Sequence, residues 1–279
     1  MPEPAPLFSL ITVTLNNRAG LQSTRASVES QVFNNFEWII IDGGSTDGTQ
    51  EDLATTNANW TSEQDTGLYD AMNKGLTKAK GTYLLFLNAG DRLAAPTTLE
   101  KIAAHTEKQP DFIYGDALET TRSSSPSLQG GGRGRVSDAP LETKPAKPFY
   151  KQAGRYKDLP SGMFTHHQAM LYKRSKISET NQHYSLIYPI AADYDFTARF
   201  LKKCEKIAYF PHPICIFESG GLSQQNAFDG RREQYLIREK LEMVSQPENV
   251  WIFLTQTLKW QLRKTFPFLY RFAKSAKRK

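Results

Sequence analysis

The chain has 279 residues, of which 39% are hydrophobic and 11% aromatic. That is enough for one α/β domain with an appendage, and too apolar for a wholly disordered chain. The net charge of +6 is local: no acidic residue follows Glu248, whereas Lys259, Arg263, Lys264, Arg271, Lys274, Lys277, Arg278 and Lys279 are basic, a pattern that suits an anionic partner.

Only two cysteines occur, Cys204 and Cys215, and neither belongs to a C-x-x-C pair. Zinc, redox and disulfide-framework classes therefore have no support, and a reducing, cytoplasmic compartment is expected. Met1 to Pro6 carries no basic and apolar leader pattern, and no run of about 18 apolar residues exists, so neither a secretory signal nor a spanning helix is expected.

In chain order, Phe8 to Leu15 reads as a buried strand closed by Asn16-Asn17. Leu21, Val28 and Val32 then share one helical face. Phe36 to Ile41 is a second strand, broken at Asp42-Gly43-Gly44, after which Ser45 or Thr46 can start a short helix. Thr66 can cap a helix to about Lys78. Tyr83 to Leu87 is a third strand, followed by Asn88-Ala89-Gly90-Asp91, and Pro96 opens a helix to about Glu107. Phe112 to Tyr114 is a fourth strand, ending at Gly115-Asp116. Strands alternating with helices predict a mostly parallel sheet covered on both faces, with ligands beyond the carboxyl ends of its strands. Those ends carry Asp42, Asp91 and Asp116.

Residues 121–160 hold a Ser run, a Gly run and eight basic against three acidic residues, which predicts a long exposed loop or insertion. Order resumes near Met163, with Ala169 to Tyr172 a strand and Ala191 to Lys203 a helix. Ile207 to Phe210 and Ile214 to Phe217 read as two short strands around Pro211 and Pro213, and Arg231 to Glu242 as a helix. Trp251, Leu254, Leu258, Leu262 and Phe266 recur at helical spacing, with a kink expected at Pro267. The division predicted is a main domain over 1–225 and a basic helical tail over 226–279.

Four segments carry candidate chemistry. In Asp42-Gly43-Gly44-Ser45, a strand-end carboxylate can bind a ribose hydroxyl or a base N–H, and glycines let a ligand approach; a capped strand-to-helix turn is the plainer reading. In Asn88-Ala89-Gly90-Asp91, one carboxylate plus two diphosphate oxygens suits Mg²⁺ or Mn²⁺; the plainer reading is a turn. Asp65 to Gly75 places Asp70, Asn73 and Lys74 on adjacent turns at a helix start, either facing a ligand or forming a solvated face. Ala192-Asp193-Tyr194-Asp195 puts two carboxylates at a helix start, where either can take a proton from an attacking hydroxyl or simply complement the helix dipole. His166 and His167 precede a strand, where a structural histidine is the plainer reading and a ligand or phosphate contact the other.

Taken together and in order, these segments resemble the family 2 glycosyltransferases of the GT-A fold, in particular bacterial members of exopolysaccharide and lipopolysaccharide biosynthesis. The likeness covers about residues 7–118 and 160–225. Ile11 to Asn16 looks like the family's first strand, Phe36 to Thr49 like its nucleotide-binding stretch, and Asn88 to Asp91 like its D-x-D element. Ala192-Asp193 looks like its Glu-Asp pair. His167-Gln168-Ala169 and Gly220-Gly221-Leu222-Ser223 resemble further elements of the subgroup.

The resemblance implies a GT-A mixed sheet with a Rossmann-like nucleotide-binding half. It implies a donor site from Thr14, Asn16, Asp42, Gly43, Ser45, Asp65, Asn73, Lys74, Asn88, Ala89 and Gly90. It also implies a divalent cation on Asp91, Asp193 as base, and acceptor or phosphate contacts at His167, Gln168, Asp195 and Ser223. The donor would be a UDP-, GDP- or dTDP-sugar. The acceptor would be a saccharide or a polyprenyl-diphosphate-linked saccharide, with inversion at the anomeric carbon.

This sequence departs from the family pattern where Gly43 replaces a second Asp, where Asn88 and Gly90 stand for acids, and where Ala192 replaces Glu. Asp91 is then expected to carry the cation's charge nearly alone, and Asp42, Asp91 and Asp193 to meet at one crevice. The basic tail implies either docking on the anionic inner face of the plasma membrane or a packed helix with a basic end. A nucleotide-sugar-binding protein without turnover is the rival reading of the thinned acidic motifs. RNA binding through Gly130 to Arg135 and the tail is a weaker rival, because aromatics are not interleaved there, and no nucleic-acid partner is expected.

Overall fold

The computed structural model describes residues 5–121, 148–219 and 226–265. The Gly and Ser runs of the insertion, the Gly220 to Ser223 element and the tail beyond Thr265, with its expected kink at Pro267, lie outside the described residues. The fold is mixed α/β, with helices flanking one mixed sheet.

Its sheet starts with β1 (Phe8–Thr14), flanked in parallel by β2 (Phe36–Asp42) and β4 (Tyr83–Phe86), with β3 (Asn59–Ser62) parallel at the edge beyond β2. All seven residues of β1 are buried. On β2, Ile39 and Ile41 enter the hydrophobic cluster on one face of the sheet, while Trp38 and Ile40 enter the cluster on the other. A strand covered by helices on both faces must be apolar at every position, and this is why the run Trp-Ile-Ile-Ile forms one. The parallel register pairs Thr14 with Asp42 and Ile11 with Phe86, so the three carboxyl ends open on the same edge.

Helix α1 (Arg18–Glu29) is capped by Asn17 and buries Leu21, Thr24 and Val28. Val32, expected on the same face, lies beyond the helix end and is 55% exposed. The short α2 (Thr49–Leu53) starts at Gly48 rather than at Ser45 or Thr46, whose polar groups are bound within the preceding loop. Helix α3 (Leu68–Lys78) starts after Gly67, so Thr66 is not its cap. It lies so close on β1 that a Cβ at Gly75 would stand 2.4 Å from Ile11 Cγ2. The two-residue β5 (Arg92–Leu93) follows Asp91 directly, and α4 runs from Thr98 to His105.

Beyond β4 the sheet turns mixed. Strand β8 (Met170–Lys173) is antiparallel to β4 and to β6 (Phe112–Thr121), and β9 (Ile207–Ser219) runs parallel to β6. Three expectations are corrected here. The strand from Phe112 does not stop at Gly115-Asp116 but continues to Thr121. The two short strands around Pro211 and Pro213 are one, because the ladder skips Pro211 between Phe210 and Pro213 and pairs Pro213 with Asp116 between two register shifts. Asp116 is therefore not at a strand end but buried at that bulge, accepting from Tyr150 Oη, Tyr209 Oη and the Ala153 N–H.

The C-terminal part of the expected loop is ordered. β7 (Phe149–Lys151) pairs with β6, and a 3-10 turn, Tyr156–Ser161, follows. Helix α5 (Arg174–Glu179) leads to α6 (Ala192–Leu201), and α7 (Ala227–Lys240) and α8 (Gln246–Thr265) pack together. Ile237 and Arg238 of α7 are 0% exposed, and the Arg238 guanidinium donates to Asn249 Oδ1 at 2.6 Å and to the Pro160 carbonyl at 3.3 Å. The last helices thus sit against the 3-10 turn that walls the cleft described next.

Candidate active site

The loops after β1 and β2 are locked to each other. Asn16 adopts φ 48°, a left-handed conformation that asparagine tolerates, and this turns its side-chain oxygen onto the Thr46 N–H at 2.8 Å. Its own N–H donates to Ser45 Oγ at 2.7 Å. Asp42 is fully buried at the end of β2, and its carboxylate accepts from Ser45 N–H and Oγ and from Ser62 Oγ. Asp42, expected to contact the nucleoside, thus has its carboxylate engaged within the chain. Thr14 Oγ1 is buried without a partner. Above them Asp65 Oδ2 occupies the space beside Gly43, where a Cβ would approach it to 2.5 Å, while Asp65 Oδ1 accepts from the Gly67 N–H at 2.9 Å.

Asn17 carries this edge to the next loop by donating to the Ala89 carbonyl at 2.9 Å. Thr24 Oγ1 accepts from the Gly90 N–H and donates to the Asp91 carbonyl, which fixes the turn at Gly90, where φ is 106°. The Asp91 carboxylate accepts from Gln168 Nε2 at 2.7 Å and from the Glu218 N–H at 3.1 Å. Asp91 is 5% exposed, and burial pushes its carboxyl up to about 6, against the pull of those two donors and of His167; the Glu218 charge adds to the rise.

On the opposite wall, Asp193 at the start of α6 accepts from the Tyr194 N–H at 2.8 Å and from Tyr69 Oη at 3.4 Å. His167 stands between the walls. Its Nδ1 is 3.6 Å from Asp193 Oδ2, and its Nε2 is 3.4 Å from Asn88 Nδ2. With Nε2 accepting from the Asn88 amide, the Nδ1–H is directed at Asp193.

Asn88, Ala89, Gly90, Asp91, His167, Gln168 and Asp193 all line one cleft of about 750 Å³, within the size range of small-ligand sites. Asp42 does not line it, so the expected convergence holds for two of the three carboxylates. Thr14, Asn16, Gly43, Ser45 and Asp65 form the neighbouring loop cluster at the same sheet edge. Three other residues expected at the site are engaged within the chain. Both ends of the Asn73 amide are taken by the Tyr184 backbone, at 3.0 and 2.8 Å. Lys74 pairs with Glu63 at 3.0 Å. Asp195 is 2% exposed and pairs with Arg199 at 2.7 Å. Ser223 lies outside the described residues.

Sequence reasoning missed Glu218, which lines the cleft beside Gly90. Strand-end logic would have found it once the strand was read through both prolines. Lys151, Arg231, Lys259, Trp260 and Arg263 also line the cleft and had no local motif to mark them.

Among the described residues no three acidic, histidine or cysteine side chains form a ready-made metal cage. The donor set nevertheless fits a hard divalent cation shared with a diphosphate. The buried Asp91 carboxylate lies beside a second acid, Glu218, and Asn88 Oδ1 is a buried oxygen with no partner. Mg²⁺ and similar ions are held by one or two carboxylates plus substrate phosphates.

The model of Glycosyl transferase family 2 matches residues 9–180. A PGL/p-HBAD biosynthesis glycosyltransferase of Mycobacterium bovis is 34% identical over 233 residues, covering 78% of this chain and 80% of its own. Among solved structures, S. aureus TarS in complex with UDP-GlcNAc matches with TM-score 0.61 and 18% identity, over 90% of this chain and 72% of that one. The mannosyltransferase PcManGT of Pyrobaculum calidifontis, in complex with GDP-Man and Mn²⁺, matches with TM-score 0.57 and 14% identity, over 99% and 81%.

Proposed function

This chain belongs to glycosyl transferase family 2, and from that premise we propose that it transfers a sugar with inversion from a nucleotide-diphosphate sugar to a hydroxyl of a saccharide or lipid-linked saccharide acceptor in bacterial surface-glycan biosynthesis. The observation that carries this is the meeting of Asp91 and Asp193 in one cleft, with His167 between them.

Asp193 is the base. Its carboxylate takes the proton of the acceptor hydroxyl as that oxygen bonds to the anomeric carbon and the bond to the diphosphate oxygen breaks. The Tyr194 N–H and Tyr69 Oη hold the carboxylate, and His167 Nδ1–H aims it. Asp91, Asn88 and Glu218 would hold a Mn²⁺ or Mg²⁺ ion, which when bound offsets the charge of the departing diphosphate. The nucleoside end belongs to the loop cluster of Thr14, Asn16, Gly43 and Asp65, at the carboxyl ends of parallel strands where such ligands bind.

A lipid-linked acceptor is also consistent with α8. Trp251, Leu254, Leu258 and Leu262 form one stripe, each at least half exposed, on a helix after which every charged residue of the sequence is basic. An anionic bilayer fits that apolar and basic pairing. No described helix is long and apolar enough to span a membrane, so contact would be peripheral, on the cytoplasmic face.

The test is a panel of UDP-, GDP- and dTDP-sugars, assayed for nucleoside diphosphate release with and without Mn²⁺. Release should depend on the cation with at least one donor, and fall at least a hundredfold in Asp91→Ala and in Asp193→Asn. Undiminished release in both variants would refute the assignment. Leu254→Glu/Leu258→Glu should lower co-sedimentation with phosphatidylglycerol vesicles; unchanged binding would refute the docking face.

A further inference from the structure

The cleft has a second electrostatic character that the donor reading leaves unused. Arg231 of α7 and Lys259 and Arg263 of α8 line it together. No carboxylate is paired with Arg231 or Lys259 among the described ion pairs. On α7, Glu233 accepts from the Ile190 and Ala191 N–H groups. Arg231 is half-buried and held by the Ala227 carbonyl and by stacking on Trp260, with its Cζ 5.4 Å from the ring centroid. Burial, and then the charge of Arg263, both push its guanidinium down. Two cations on one wall, neither with a paired carboxylate among the described residues, favour an anion.

We propose that Arg231 and Lys259 bind a phosphoryl group of the acceptor, at a site separate from the donor diphosphate. A guanidinium and an ammonium together suit a diphosphate or phosphate monoester better than a single carboxylate, and the guanidinium fork matches phosphate oxygens in pairs. The acceptor side follows from where Arg231 is rooted. Gly230, its neighbour, packs against Ile190, with a hypothetical Cβ 3.1 Å from Ile190 Cγ2. The Ile190 carbonyl is bound by Tyr69, which also touches Asp193. This placement rests on Asp193 as the base. The donor diphosphate belongs with Asp91, on a different wall. An acceptor of this kind would come from a reaction that attaches a sugar to a phosphate or diphosphate carrier.

The experiment is calorimetric titration of inorganic pyrophosphate into the full chain, with EDTA present and no sugar donor. Wild type should bind, saturating UDP should not displace the ligand, Arg231→Gln/Lys259→Gln should weaken binding at least tenfold, and Arg231→Lys should keep it within about threefold. Urea midpoints of the variants verify folding. Tighter binding of farnesyl diphosphate than of glucose 1-phosphate assigns the group to a lipid carrier; the reverse order assigns it to a phosphorylated sugar. Unchanged affinity in the double variant, or displacement by UDP, would overturn the proposal. Because the titration contains neither sugar donor nor cation, its failure leaves the assignment of Asp91 and Asp193 to be judged by donor turnover.

Discussion

Gly43→Ala isolates one contact that decides the shape of the loop after β2. Gly43 has no positive φ, so alanine brings no backbone strain, only a Cβ at 2.5 Å from Asp65 Oδ2 and 3.3 Å from Leu15 Cδ1. The Leu15 methyl can give by a few tenths of an ångström, but Asp65 must swing away. In doing so it gives up its bond to the Gly67 N–H at the start of α3. A charge-assisted bond of this kind contributes about 1.5–3 kcal/mol, and partial exposure reduces that to about 1–2 kcal/mol. At about 2–4 °C per kcal/mol for a chain of this size class, the melting temperature should fall by about 2–8 °C. In an Asp65→Ala background the same substitution meets only Leu15 and should cost under about 0.5 kcal/mol, leaving a coupling energy of about 1 kcal/mol or more. Urea unfolding of the four proteins measures that cycle, and UDP titration of the same proteins should show the single variant weakened. Equal costs of Gly43→Ala in both backgrounds would refute the argument, since only Asp65 supplies the close contact.

Three further outcomes are expected. Gly75→Ala should destabilise by about 1–3 kcal/mol in urea unfolding, because its Cβ would overlap Ile11 Cγ2 at 2.4 Å; no loss would mean that α3 is not so tightly seated on β1. Burial pushes the Cys204 thiol up to about 12 and that of Cys215 well above its ordinary value, so thiol reagents at pH 8 should label neither until the chain is unfolded. Prompt native labelling would contradict that burial. The hydrogen bond from His166, and next that from Lys151, hold the Glu119 carboxyl down at about 2 instead of 4.5, against its own burial. Its contribution is then complete above pH 4.5 and is lost as pH falls through about 2. The melting-temperature gap between wild type and Glu119→Gln should close across that window; a gap identical at pH 6 and pH 2 would disprove the sign.

The half of the fold built on β1, β2 and β4 was legible because its signals are local. The apolar runs Phe8–Thr14, Phe36–Asp42 and Tyr83–Phe86 have no competing period, and each ends at a polar turn. The other half was less so. Pro211 and Pro213 read as breaks, yet a bulge opposite Asp116 absorbs both, which no sequence period encodes. β3 (Asn-Trp-Thr-Ser) and β5 (Arg-Leu) are strands only because a neighbouring strand offers a free edge. Asp42 was read as a ligand group because a carboxylate at a strand end can face either way. Ser45 and Ser62, one from the following turn and one from β3, settle that it faces inward.

The same reasoning explains how the site tolerates its missing acids. A motif read along the chain counts Gly43 as a lost carboxylate, but Asp65 places its own oxygen within 2.5 Å of where the Gly43 side chain would begin. The charge is supplied by the next segment over, and the glycine is what makes room for it. Likewise, the thinned Asn88-Ala89-Gly90-Asp91 turn acquires a second carboxylate when β9 carries Glu218 to the edge of Gly90. In both places the glycine and the distant acid form one unit. Restoring the acid at the glycine should therefore hurt rather than help: Gly43→Asp would set two carboxylates at about 4 Å, a repulsion of about 1–4 kcal/mol between partly exposed groups. Its urea midpoint should fall below that of Gly43→Ala, and Asp65→Asn should recover it. A Gly43→Asp protein as stable as wild type, with Asp65 intact, would show that the two positions do not share that space.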